Sequence, residues 1–201
     1  MIEILVPTSW EDVTVATYQK LKEIKAEDFE TPLQHTNAVM KCLCNMDDLD
    51  FLTVESFNEV AKEIAFIQHP ITENIVEEIN IRGEVYKWNG NLNQIAVGEM
   101  LSIEQIIDLE DLSYTGSIDV VLAVLLRKDK EDFDSSVFTE RRELFNELPI
   151  TEVNGMLSFF LRGGQIYIER SRHYSVVLSR TQTNTQTKSW SWRRLLKRLR
   201  K

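Results

Sequence analysis

Slid against itself by 82 residues, this chain lays apolar positions over apolar positions, and that internal duplication limits the available folds more than any other feature. The segment from Ile2, "IEILVPTSWEDVTVATYQKLKEI", falls over "EVYKWNGNLNQIAVGEMLSIEQI" from Glu84. Ile4 meets Tyr86, Val6 meets Trp88, Val15 meets Val97, Tyr18 meets Met100, Leu21 meets Ile103 and Ile24 meets Ile106. The register holds through Val39 over Val121, Met40 over Leu122 and Leu43 over Leu125, and with one residue dropped Phe57 meets Phe138 and Ile64 meets Phe145.

Each copy reads as a short strand followed by three helices. Alternation in Ile2–Val6 and Val85–Trp88 predicts strands, whereas Val15, Tyr18, Leu21 and Ile24 recur at helical spacing. Thr14 suits an N-cap. The second helix is expected over 34–46 and again over 117–127, and the third over 54–67 and again over 137–148. Thr53, and Ser135 or Ser136, offer capping oxygens for the third helices. Between the copies, "ENIVEEINIRGEVYKWN" holds two alternating runs around Arg82-Gly83, the pattern of a β-hairpin with glycine in its turn. A hairpin alone is marginal in water, so Ile2–Val6 is expected to join it as a third strand.

The expected class is therefore α+β and mainly helical: two pseudo-repeated strand-plus-three-helix units joined by a small antiparallel sheet, with a C-terminal extension. The divisions fall at 1–72 (first unit), 73–149 (hairpin and second unit), 150–178 (helical and aromatic segment) and 179–201 (basic tail). In the third division Thr151 is the expected cap of a helix carrying Met156, Leu157, Phe159, Phe160 and Leu161, and the aromatic content of this segment suits closing the core or forming a contact face, with core closure ahead. Gly163-Gly164 then breaks or bends that helix.

Hydrophobic residues make up 43% and charged residues 27% of the 201, which is the composition of a chain that folds. The longest apolar run, Val120–Leu126, is far shorter than the ~20 residues of a membrane span. Met1–Val6 has no basic region ahead of its apolar stretch, so an intracellular product without a secretion signal is expected. Charge is segregated. Residues 179–201 hold eight Lys and Arg and no acid, leaving fifteen bases and all 32 acids in residues 1–178, a balance of −17 there against −9 overall.

Catalytic chemistry has no visible foothold. "RGGQ" at 162–165 lacks the spacing of a phosphate loop, and His35, His69 and His173 are scattered without metal spacing. Cys42 and Cys44 are too close for a good disulfide and align with Val124 and Leu126, so they read as small hydrophobes. The acidic runs "MDDLD" at 46–50 and "DLED" at 108–111 read as solvated helix ends or loops. No catalytic residue, cofactor or metal site is expected.

The terminal "SWSWRRLLKRLRK" differs from everything before it. Trp192, Leu195, Leu196 and Leu199 stand at i, i+3, i+4 and i+7, with Arg193, Arg194, Lys197, Arg198 and Arg200 on the other sides and Trp190 just ahead. At about ten residues this amphipathic helix needs a partner to form. Three uses compete: a membrane anchor, too short and without a second anchor; a nucleic-acid clamp with charge for ~6 phosphates; and a docking peptide whose apolar face enters a groove on a neighbouring protein while its basic side meets acidic surface. Docking leads, and the charge asymmetry also allows one copy's tail to dock on another copy's body.

"PTSWEDVTVATYQKL" at 7–21, "LTVESFNEVAKEIAFI" at 52–67, "RGEVYKWNGNLNQIAVGEMLSIEQIIDLEDL" at 82–112 and "ELPITEVNGMLSFFL" at 147–161 together resemble small structural or assembly proteins of the head-tail region of tailed bacteriophages, especially crAss-like phages of gut Bacteroidetes. The resemblance implies a virion component made in the bacterial host cytoplasm, a neck or tail ring protein working through multimeric contacts. It also leaves room for a cytoplasmic tail-assembly chaperone or a DNA-binding accessory protein. Its motifs are packing patterns, so no family catalytic residue carries over, and the basic tail lies outside the matched span.

Overall fold

The helices of this chain begin where the sequence supplies a capping oxygen. A computed structural model describes residues 4–72, 76–88, 97–110, 115–129, 131 and 134–158. In it Thr14 accepts from the Thr17 N–H and opens α1 (Val15–Glu23), and Thr53 accepts from the Ser56 N–H and opens α3 (Val54–Glu63). α2 (Pro32–Leu43) starts two residues earlier than the apolar spacing predicts. Thr31 and Gln34 form a reciprocal capping box around Pro32, whose missing N–H costs nothing at the first helical position. The same helix stops three residues early. Asn45 turns left-handed (φ 51°), the Met46 N–H reaches the Lys41 carbonyl at 2.9 Å and the Asn45 N–H the Cys42 carbonyl at 3.3 Å, which is a Schellman closure.

The sheet forms as the hairpin predicts but takes a different third strand. β1 (Glu78–Ile81) and β2 (Glu84–Trp88) pair antiparallel with Ile81 opposite Glu84. The two-residue turn has positive φ at both Arg82 (54°) and Gly83 (87°), the arrangement whose twist matches the strands. Ile4–Val6 form no strand, and Ile2 lies outside the described residues. The third position belongs to β3 (Leu126–Lys128), which sets Trp88 opposite Leu126 and Tyr86 opposite Lys128. β3 follows α5 (Ile118–Leu125) directly, so the helix expected over 117–127 ends early because its last residues are taken by the edge of β2.

The remaining elements are α4 (Val97–Glu110), α6 (Phe138–Asn146) and a helical run at 150–158, α7. Ser135 and Ser136 do not cap α6. Its N-cap position is Val137 with no side-chain bond, and the preceding 3₁₀ turn is held by Asp134, which accepts from the Ser136 N–H at 2.8 Å. Thr151 likewise lies inside α7, one residue after its start. The start of α7 is fixed instead by the chain at 13–15: the Ile150 N–H donates to the Val13 carbonyl and the Val15 N–H to the Leu148 carbonyl, both at 2.8 Å.

α5 is the central helix of the described core. Ile118 to Val124 are all buried, the expected fate of a helix that is apolar on every side. α1, α4, α6 and β3 surround it. Val13, Val39, Met40, Ile64, Ile79, Tyr86, Leu122, Phe145, Ile150, Val153, Met156 and Leu157 belong to one continuous core, which crosses both the 72/73 and the 149/150 boundaries. Met156 and Leu157 thus close the core as their cluster suggests; Phe159 to Leu161 and Gly163-Gly164 lie outside the described residues.

Candidate interaction surface

Two helix starts that lie beside each other create an open apolar surface. Capping fixes Thr31 and Thr53 at the N-termini of α2 and α3, and the residues just inside, Leu33 and Val54, point off the stripe that each helix buries. Leu33 is 64% and Val54 80% exposed, and Phe51, in the loop between the helices, is 50% exposed. Leu52 and Phe57 take the N′ and N4 positions of a hydrophobic staple before and within α3. Together with Leu49, Asn37 and Asn58 they line an open groove of about 360 Å³.

The stretch of sequence that supplies the groove is acidic. Asp50 lines the groove, and residues 26–60 carry eight Asp and Glu against one base, Lys41, which pairs with Asp48 at 3.9 Å. Asp47, Asp48, Asp50, Glu55 and Glu59 are all exposed. The run at 46–50 is thus a solvated loop, with Asp48 accepting from the Asp50 N–H at 2.9 Å. Among the described residues no group of three or more His, Cys, Asp or Glu is placed to hold a metal ion, and no helix is long and apolar enough to cross a membrane.

A second cleft, of about 440 Å³, runs past Trp10, Tyr18, Lys22, His69 and Asn154. Here the aromatic rings mostly satisfy each other. Trp10 meets Tyr18 and Phe66 edge-to-face at 5.7 and 5.3 Å, its indole N–H donates to the His69 carbonyl at 2.9 Å, and the Lys22 ammonium sits 5.1 Å from the Tyr18 ring.

The buried charges are structural partners. Asp119, in the first turn of the core helix, accepts from Arg142 Nε at 2.6 Å and from Gln19 Nε2 at 3.0 Å; Gln19 Nε2 also reaches the Gly116 carbonyl at 2.7 Å. Arg142 donates to Glu110 at 2.8 Å, so Glu110 is a structural partner and not simply a solvated helix end. One cluster thereby ties α1, α4, α5 and α6. Burial works against the charge on Arg142, and the hydrogen bonds to Glu110 and Asp119 outweigh it, holding the guanidinium pKa above its usual value. Arg127 pairs with Glu99 and Arg141 with Glu131 in the same half-buried manner.

The cysteines behave as packing residues. Cys44 is buried at the end of α2 and Cys42 half-buried, with its Sγ 3.7 Å from the Thr17 carbonyl; both are free thiols. Burial pushes both thiols up, in Cys42 against a lowering by Lys20. His35 stacks near Phe29 at 5.6 Å, His69 contributes only its carbonyl to Trp10, and His173 lies outside the described residues. So do Trp190, Trp192, Arg193 and the rest of the terminal segment through Arg200.

The groove residues Leu33 and Val54 were not singled out by sequence reasoning. The available signal was positional: large apolar side chains beside capping threonines, out of phase with the stripes of their own helices. Comparisons with protein-family models, curated proteins and solved structures returned no significant match.

Proposed function

We propose that this chain is a non-enzymatic assembly protein of a tailed phage particle, a ring-forming neck or tail component that acts through multimeric protein contacts. The single observation that carries the reading is the apolar groove between α2 and α3, open to solvent on an otherwise acidic surface. Two of the five large hydrophobic side chains that stand exposed among the described residues, Leu33 and Val54, line it, and a clustered exposed apolar patch marks a surface that another molecule covers. The resemblance at 7–161 supplies the phage context. The duplication is part of the proposal: α1–α2–α3 and α4–α5–α6 follow in the same order, with Met40 and Leu122, and Ile64 and Phe145, buried at aligned positions.

An open groove serves a transient client as well as a permanent neighbour, which keeps the tail-assembly chaperone as the second reading. Mass spectrometry of purified particles decides between them. A ring component is present in finished particles at a fixed multiple per particle. A chaperone is absent from them and is recovered from the cytoplasm with its client. Recovery only with DNA, lost steeply as salt rises, sinks both readings in favour of the accessory protein.

A further inference from the structure

The α2–α3 groove and the terminal segment of this chain are complementary in both polarity and charge. The groove offers Leu33, Leu52, Val54 and Phe57 on its walls. The segment 189–201 offers Trp192, Leu195, Leu196 and Leu199 on one stripe, spanning about 10 Å if helical. Asp50 lines the groove, and the stretch 26–60 that supplies its walls holds eight acids and one base in sequence; the segment holds six bases and no acid. At about 360 Å³ the groove sits near the lower end of the ~300–1,000 Å³ typical of ligand pockets, a size that admits a few side chains but not a folded domain.

We propose that the groove of one molecule receives the Trp/Leu stripe of segment 189–201 from a second copy of this chain, a deepening that rests on the assembly reading above. Thirty residues separate Ser158 from Ser189, a contour of about 100 Å, enough to reach across a neighbouring molecule. A chain that bears both an arm and a groove makes a head-to-tail contact, which closes into a ring wherever the rotation between copies permits. The N-termini of α2 and α3 face the groove with partial positive charge. That orients the arm: apolar side chains enter, and Arg and Lys lie outward, toward Asp50 on the groove wall.

The test uses full-length chains. Leu33→Gln with Val54→Gln removes the groove's apolar walls at two exposed positions, and Leu195→Ser with Leu199→Ser removes the arm's stripe. Unchanged circular dichroism and melting temperature show that both variants fold. Native mass spectrometry and sedimentation over a concentration series are expected to give oligomers for the unaltered chain, weakened by added salt. Each variant alone should associate at least about tenfold more weakly, and an equimolar mixture should form pairs containing one of each and nothing larger. A groove variant that assembles like the unaltered chain, while the arm variant does not, overturns the groove as the receiving site and leaves the assembly reading standing. An unaltered chain that stays monomeric throughout removes self-assembly and, with it, this inference.

Discussion

Asp119→Ala is the substitution that most directly tests how the body is held together. The carboxylate is 3% exposed and accepts two hydrogen bonds, from Arg142 Nε and Gln19 Nε2. Truncating one member of a buried ion pair costs ~3–5 kcal/mol, because the partner's charge is left without compensation. Here the loss is partly softened: Arg142 keeps Glu110, its side chain is 23% exposed, and Gln19 Nε2 keeps the Gly116 carbonyl. The expected destabilisation is therefore about 2–3 kcal/mol, a drop in Tm of about 5–10 °C for a unit of this size. Urea denaturation followed by far-UV circular dichroism measures it. Replacing both partners, Asp119→Leu with Arg142→Met, should cost less than Asp119→Ala alone, since no buried charge remains. A single-substitution cost below about 0.5 kcal/mol, or costs for the two sites that simply add, would refute the idea that the pair clamps the core.

Other perturbations probe other parts of the body. Arg82→Asn should raise stability by about 0.5–1 kcal/mol in chemical denaturation, because Asn tolerates the left-handed turn position better and the exposed pair lost with Glu147 is worth little. Asp12→Asn should cost about 0.5–1 kcal/mol at pH 7. The N–H of Thr8, then that of Ser9, and both hydroxyls hold the Asp12 carboxyl below its usual pKa. Its contribution is therefore present above the unfolded value of 3.8 and lost as pH falls through the lower folded value, and the variant's deficit in pH-dependent melting must shrink there. With a thiol reagent at pH 8, Cys42 should label more slowly than a free thiol and Cys44 only as the protein opens; rapid labelling of both contradicts the packing of α2.

What was legible in the sequence follows the range of the interaction that decides it. Thr14, Thr53 and Arg82-Gly83 act within a few residues, and the caps and hairpin fall where those residues place them. Helix ends set by local chemistry were readable but missed, as Thr31-Pro32 and Asn45 show. The third strand was not readable: Leu126 ends the apolar run of α5, the Arg127-Lys128 that follow carry no alternation long enough to mark a strand, and only the edge of β2 decides that the three residues pair. Nor was the role of Asp119 or Glu110. An acid within a run of Ile and Val gives no hint that Arg142 and Gln19 converge on it from residues 23 and 100 positions away. The groove is a similar case, since it exists only once α2 and α3 lie side by side.

On the proposed reading, the segregation of charge is what makes an exposed groove tolerable. An open apolar surface on a neutral protein invites indiscriminate association. With a net charge of −9, and −17 over residues 1–178, copies of the body repel one another, and the repulsion is felt within the ~8 Å screening length of physiological salt. A neutral or acidic apolar segment gains contact area at the groove but meets the same field from Asp50 and its neighbours. A segment that is both apolar on one stripe and cationic elsewhere escapes that penalty. Specificity then arises from what the rim rejects as much as from what the groove accepts. The same logic gives the acid-free segment 179–201 its place apart from the body: its eight bases, spread over residues 1–178, would weaken the field that keeps the wrong partners out.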